Sequence, residues 1–150
     1  AQRHKGTTAQ RNLCPSGYKA LSTVGNKGTQ NTVKTYRDLI VWQKAMELVS
    51  EIYRHTKAFP EDERYGLTLQ LKRSSISLPS NMAEGYGRNS TQDYIRFLRI
   101  ANGSLFELQT QLEIALNLGF LTDESFSLLF ESSREIERML SSLIRKISPK

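Results

Sequence analysis

Residues 90–119 read STQDYIRFLRIANGSLFELQTQLEIALNLG. Within them Phe97, Leu98, Ala101, Leu105, Leu108, Leu112 and Ala115 recur at three- and four-residue spacing. That spacing places them on one face of a helix about five turns long. Ser90, with Asp93 three residues on, is a capping-box start in which Asp replaces the usual Glu or Gln. Gly119 suits the position just past a helix end. Gly103-Ser104 lowers helix propensity in mid-segment, which predicts close approach by a neighbouring helix.

The flanking sequence keeps the same period. About 38–58, Leu39, Trp42, Met46, Val49 and Tyr53 predict a first helix with Asp38 as its cap and Phe59-Pro60 as its end. About 61–85, a second helix starts at Pro60 and three acids and carries Tyr65, Leu69, Ile76, Met82 and Ala83. Pro79 is expected to break it locally and release the Ser75 carbonyl, with nearby serines bonding freed carbonyls. Gly85 and Gly87 are expected to end it. After Thr122, Phe126, Leu129, Ser133, Ile136, Leu140, Leu143 and Ile147 predict a fourth helix, closed by Arg145, Lys146 and Pro149. The connections are short, so neighbours run antiparallel. The prediction is all-α: an antiparallel up-down-up-down four-helix bundle within residues 36–150.

Residues 1–35 differ in kind. They hold Arg3, Lys5, Arg11, Lys19, Lys27 and Lys34 and no acid, whereas the remainder has 15 basic and 15 acidic residues. The whole formal charge of +6 therefore belongs to this segment. Its apolar residues keep no period, so it cannot bury enough surface to offset its ordering entropy. It reads as a disordered basic arm: either an electrostatic tether to nucleic acid, or a solvated leader read in frame.

Composition excludes several classes. The chain has 150 residues, 38% of them apolar, with a mean hydropathy of -0.47. No apolar run approaches the roughly 18 residues that span a bilayer, so no membrane role is expected. The single cysteine, Cys14, fits a reducing, cytoplasmic setting. With only His4 and His55 and no Glu-x-x-His, a bundle di-iron site lacks its ligands. His55 is read as a solvated residue near the end of the first helix. The serines at 74–80 lack a nucleophile elbow, and GYGR at 85–88 follows a helix and is no dinucleotide loop. No catalytic residue, metal or cofactor is expected.

The segments FPEDERYGLTLQLKRSSISLPSNMAEGYGR and FLRIANGSLFELQTQLEIALNLGFL resemble the 23S rRNA-intervening sequence proteins. The resemblance begins at Asp38 and leaves out the basic arm. It implies a four-helix bundle that forms a homo-oligomer, with a pentameric ring preferred, and no established enzymatic activity. It also implies kinship with the accessory variability proteins of diversity-generating retroelements. Those bind nucleic acid and a reverse transcriptase, which makes both expected partners.

Two residue sets follow. Lys72, Arg73, Arg88, Arg96 and Arg99 could join the arm's basic residues in contacting phosphates of structured RNA or DNA, or could be ordinary solvated helix surface. Ile40, Leu48, Ile95, Ile100, Phe106, Ile114 and Leu118 fall off the predicted core faces, which suggests subunit contacts. The expected function is a non-enzymatic, oligomeric, nucleic-acid-associated accessory protein. The alternative is an oligomeric scaffold without nucleic acid.

Overall fold

The computed structural model describes residues 32–150. The readings placed on residues 1–31, including Arg3, Lys5, Arg11, Lys19 and Lys27, lie outside the described residues. Four helices follow one another: α1 (Ile40–Thr56), α2 (Leu67–Tyr86), α3 (Thr91–Asn117) and α4 (Asp123–Ile147). Each packs on its sequence neighbour, α4 closes onto α1, and the diagonal pairs do not meet. The register of α2 against α3 is antiparallel, since Ser74 bonds Gln111 and Ser77 bonds Ser104. Phe59 and Phe120 bring the first and third connections together at one end, with ring centres 5.6 Å apart.

The α3 stripe is the centre of the core. All seven of its residues are buried, with Leu98, Ala101, Leu105, Leu108, Leu112 and Ala115 at 0% exposure. Ser90 Oγ accepts the Asp93 amide at 3.4 Å and starts the helix. Gly119 ends it at φ 76°, a backbone shape that suits glycine. The Phe120 amide then donates to the Ala115 carbonyl at 2.9 Å. In α4 the buried positions are Leu129, Ser133, Ile136 and Leu140, as expected, and Thr122 Oγ caps the start.

The inward face of α1 differs from the expected one. It carries Val41, Trp42, Ala45, Leu48 and Ile52, while Met46 and Tyr53 stand exposed. Leu48, expected at a subunit contact, is fully buried in the core. Asp38 does not cap α1. Its carboxylate accepts the Lys34 and Thr35 amides in a short 3-10 turn over Tyr36–Asp38. Those amides hold the Asp38 carboxyl below its ordinary range. Its stabilising effect is therefore present above the ordinary Asp range and is lost as pH falls through the lowered value.

Several expectations for α2 are also corrected. Residues Glu61–Glu63 form a 3-10 turn, and the α-helix begins at Leu67. Tyr65 and Ile76 are exposed; the core side is built from Leu71, Ser74, Ser75, Leu78, Pro79 and Met82. The helix continues through Pro79 without a break. Pro79 has no N–H to give the Ser75 carbonyl, but its ring is buried against the core. Around it, Ser80 Oγ donates to the Ile76 carbonyl and Asn81 Nδ2 to the Ser77 carbonyl, both at 2.8 Å.

Gly85 lies within α2 and does not end it. A methyl group there would stand 2.6 Å from Phe97 Cβ, so α2 and α3 approach closely at this point. Gly103, expected to mark that approach, faces open space; its neighbour Ser104 is the residue that meets α2.

Gly85→Ala is expected to destabilise the fold by about 1–3 kcal/mol through overpacking. Gly103→Ala is expected to stabilise it by about 0.5–1 kcal/mol through helix propensity alone. Leu108→Ala or Leu112→Ala should cost about 2–5 kcal/mol. Denaturant midpoints of the variants check all of these.

Candidate nucleic-acid and assembly surfaces

Phe97 organises the basic residues near the α2–α3 turn. It sits on α3 opposite Gly85, so its ring lies at the surface edge of the core. The guanidinium carbon of Arg88 stands 4.9 Å from the ring centre and that of Arg96 5.4 Å. Arg88 also pairs with Glu84 at 2.8 Å, and Arg96 with Asp93 at 3.8 Å. Both pairs are exposed and contribute little to stability. Tyr94 packs edge-on against Tyr86; its hydroxyl is buried without a hydrogen bond, and burial raises its pKa.

Arg99 has no ion pair with any described residue. With Arg96 it lines a shallow cavity of about 680 Å³ over Ile95 and Ile100, bounded by Gln92, Ser148 and Pro149. Ile95, expected at a subunit contact, is therefore corrected: it is 7% exposed, on the floor of this cavity.

Lys72 and Arg73 lie elsewhere. The Lys72 ammonium stands 4.6 Å from the centre of the Tyr53 ring on α1. Along α2 they are separated from the Gly85–Phe97 level by roughly 20 Å at 1.5 Å per residue. The basic residues read as one set from the sequence thus form two separate groups. Lys34 is exposed at the start of the described chain.

Place, more than number, distinguishes the charges. The helix midpoints separate the bundle into two halves. The half made of residues 32–48, 77–104 and 136–150 holds 10 basic and 5 acidic residues, net +5. The half made of 49–76 and 105–135 holds 6 basic and 10 acidic residues, net −4. The bundle is nearly neutral but polar end to end. Arg88, Arg96, Arg99, Arg145 and Lys146 belong to the basic end; Glu61, Asp62, Glu63, Asp123, Glu124 and Glu131 belong to the acidic one. Sequence summation by segment hides this, because each helix crosses from one end to the other.

Of the residues expected at subunit contacts, Ile40, Ile100, Phe106, Ile114 and Leu118 are exposed by 43–56%. At 100° per residue, Ile100, Ile114 and Leu118 fall within about 40° of one another, but Glu107 and Gln111 lie between them on that face, so Ile114 and Leu118 form a patch separate from Ile100. His55 is half-buried, with Nε2 3.6 Å from Glu51 Oε2, and is less solvated than expected. Among the described residues no group of three His, Cys, Asp or Glu side chains could hold a metal ion. No described helix is long and apolar enough to cross a membrane.

The fold and these surfaces define a helical-bundle protein with a segregated surface charge. Residues 37–142 match the model of the 23S rRNA-intervening sequence protein family, and the chain belongs to that family. It is also similar to a crystal structure from Bacteroides thetaiotaomicron, described as a protein of unknown function from the S23 ribosomal protein family. The two are 26% identical, with a TM-score of 0.66 over 71% of this chain and 96% of the other. No curated protein matches the chain.

Leu48→Ala should cost about 2–5 kcal/mol, as a core residue does. Ile114→Ser should change the stability of the fold by about 0.5 kcal/mol or less. Equal losses at the two positions would contradict this division between core and surface.

Proposed function

We propose that the protein is a non-enzymatic accessory protein that assembles with copies of itself and holds RNA or DNA at its basic end. The observation that carries this reading is the charge segregation: net +5 at one end of the bundle. The described chain also enters at that end, directly after a segment with five basic residues and no acid over 1–31. Such a surface attracts a phosphate backbone without reading base sequence. The proposed assembly surface is the exposed apolar patch of Ile114 and Leu118 at the far end of α3, away from Ile100. In a closed ring whose bundle axes run along the rotation axis, all basic ends share one face and weak contacts add up. A pentamer is the preferred count, on the family resemblance. A reverse transcriptase is the proposed protein partner, by analogy with the retroelement relatives.

A second reading, an oligomeric scaffold without nucleic acid, draws on the ion pairs that already occupy Arg88 and Arg96.

The test is fluorescence anisotropy with a structured RNA at several salt concentrations. Affinity should fall steeply with salt. Removing residues 1–31 leaves the capped start at Thr35 intact. It should flatten the log–log salt slope by up to about 4–5 per bound arm. No binding at about 50 mM salt would favour the scaffold. A monomeric mass by light scattering would remove the assembly reading.

A further inference from the structure

We propose that the cavity at the basic end is a subsite for one unpaired nucleotide of an RNA or DNA strand. Its phosphate would lie on Arg96 and Arg99 and its base on Ile100 and Pro149, with Ile95 nearly buried beneath them. This rests on the nucleic-acid reading above and narrows it from any phosphate backbone to an unpaired strand.

Three observations carry it. The first is the state of the arginines. Arg99 has no carboxylate partner among the described residues, and Arg96 has one, Asp93 at 3.8 Å, beside its contact with the Phe97 ring. They sit three residues apart on α3 and so project side by side at the cavity rim. Two guanidinium forks at that spacing can converge on one phosphate. Arg145 and Lys146 in the last turn of α4 raise the positive potential at this end.

The second is the floor. A site for phosphate alone needs only the arginines. Here Ile95, Ile100 and Pro149 form an apolar surface directly beside them. The cavity volume of about 680 Å³ falls within the usual range for small-molecule sites, roughly 300–1,000 Å³. A duplex keeps its bases stacked inside and would meet the rim while leaving this floor in water. An unpaired strand can turn a base onto the floor and keep its phosphate on the rim.

The third is the polar edge. The Gln92 amide both donates and accepts. The Ser148 hydroxyl gives its proton to the Ile144 carbonyl at 2.6 Å, and its oxygen still accepts. Two adaptable groups hold a base edge without selecting one base, so the subsite tolerates any sequence.

The test uses the full-length protein. Its probes are a short single strand carrying the fluorescent base analogue aminopurine and the blunt duplex of the same strand, at the same salt. The strand should bind severalfold tighter than the duplex, below the roughly tenfold of a base stacked on an aromatic ring, since the floor is aliphatic. Aminopurine emission should rise as the base leaves its stack. Ile100→Ser should remove the preference while duplex affinity stays within about twofold, since the arginines remain. Arg96→Ala with Arg99→Ala should weaken both. Unchanged thermal midpoints show that each variant is folded.

Equal affinity for strand and duplex overturns the subsite and leaves the broader reading standing. So does an Ile100→Ser protein that keeps the preference. A short acidic peptide that displaces the strand as well as a second strand does would assign the cavity to a protein ligand instead. Absence of binding to either nucleic acid overturns both readings.

Discussion

The contact between Gly85 and Phe97 sets the spacing on which the rest of the molecule depends. With no side chain at 85, α2 comes so close to α3 that an added methyl would lie 2.6 Å from Phe97 Cβ. Further along the same seam Ser74 bonds Gln111 and Ser77 bonds Ser104, each at 2.7 Å. The α2–α3 seam is thus held by small residues and short hydrogen bonds in addition to apolar burial. It also fixes Phe97 at the surface edge, where its ring orients Arg88 and Arg96. Arg96 in turn stands beside Arg99 at the cavity rim. One missing methyl group in α2 is connected in this way to the arrangement of the basic end.

The charge pattern is not what stability alone would produce. In an antiparallel bundle the helix dipoles oppose and largely cancel, so the polarity comes from side chains. Arg145 and Lys146 suit the C-terminus of α4. Arg96 and Arg99 have no such benefit: they lie past the first turn of α3, where the dipole has faded and its sign is unfavourable to cations. The excess at this end is therefore not a helix-dipole effect. The resulting field also favours fast, salt-sensitive encounter with a polyanion.

The fold was legible where apolar residues were few and regularly spaced. In α3 and α4 one stripe stood out: all seven α3 residues are buried, though Ile95, Gln109 and Gln111 join them, and in α4 Leu129, Ser133, Ile136 and Leu140 are buried while Phe126, Leu143 and Ile147 are partly so. In α1 the apolar residues are too numerous: Leu39, Ile40, Val41 and Trp42 are consecutive, and Met46, Leu48, Val49 and Ile52 fill two adjacent faces. Periodicity could not choose between those faces, so Leu48 was assigned outside and Met46 inside. In α2 the core side includes Ser74, Ser75, Pro79 and Gly85, whose fit depends on a neighbour's shape and not on hydrophobicity. The two glycines show the same limit. Gly85 and Gly103 look alike in sequence, and only the partner helix tells the contact from the open site. The cavity joins the start of α3 to residues 148–149, far apart in the chain, and the charge polarity emerges only once the helix ends are assigned.

The central claim is that the basic end is where nucleic acid sits. Photo-crosslinking of the full-length protein to a thiouridine-bearing RNA, read by mass spectrometry, tests it most directly. Adducts are expected on the half made of residues 32–48, 77–104 and 136–150, centred near Arg96 and Arg99, and on the preceding basic segment. Adducts concentrated on residues 49–76 and 105–135, or spread evenly over both ends, would contradict it.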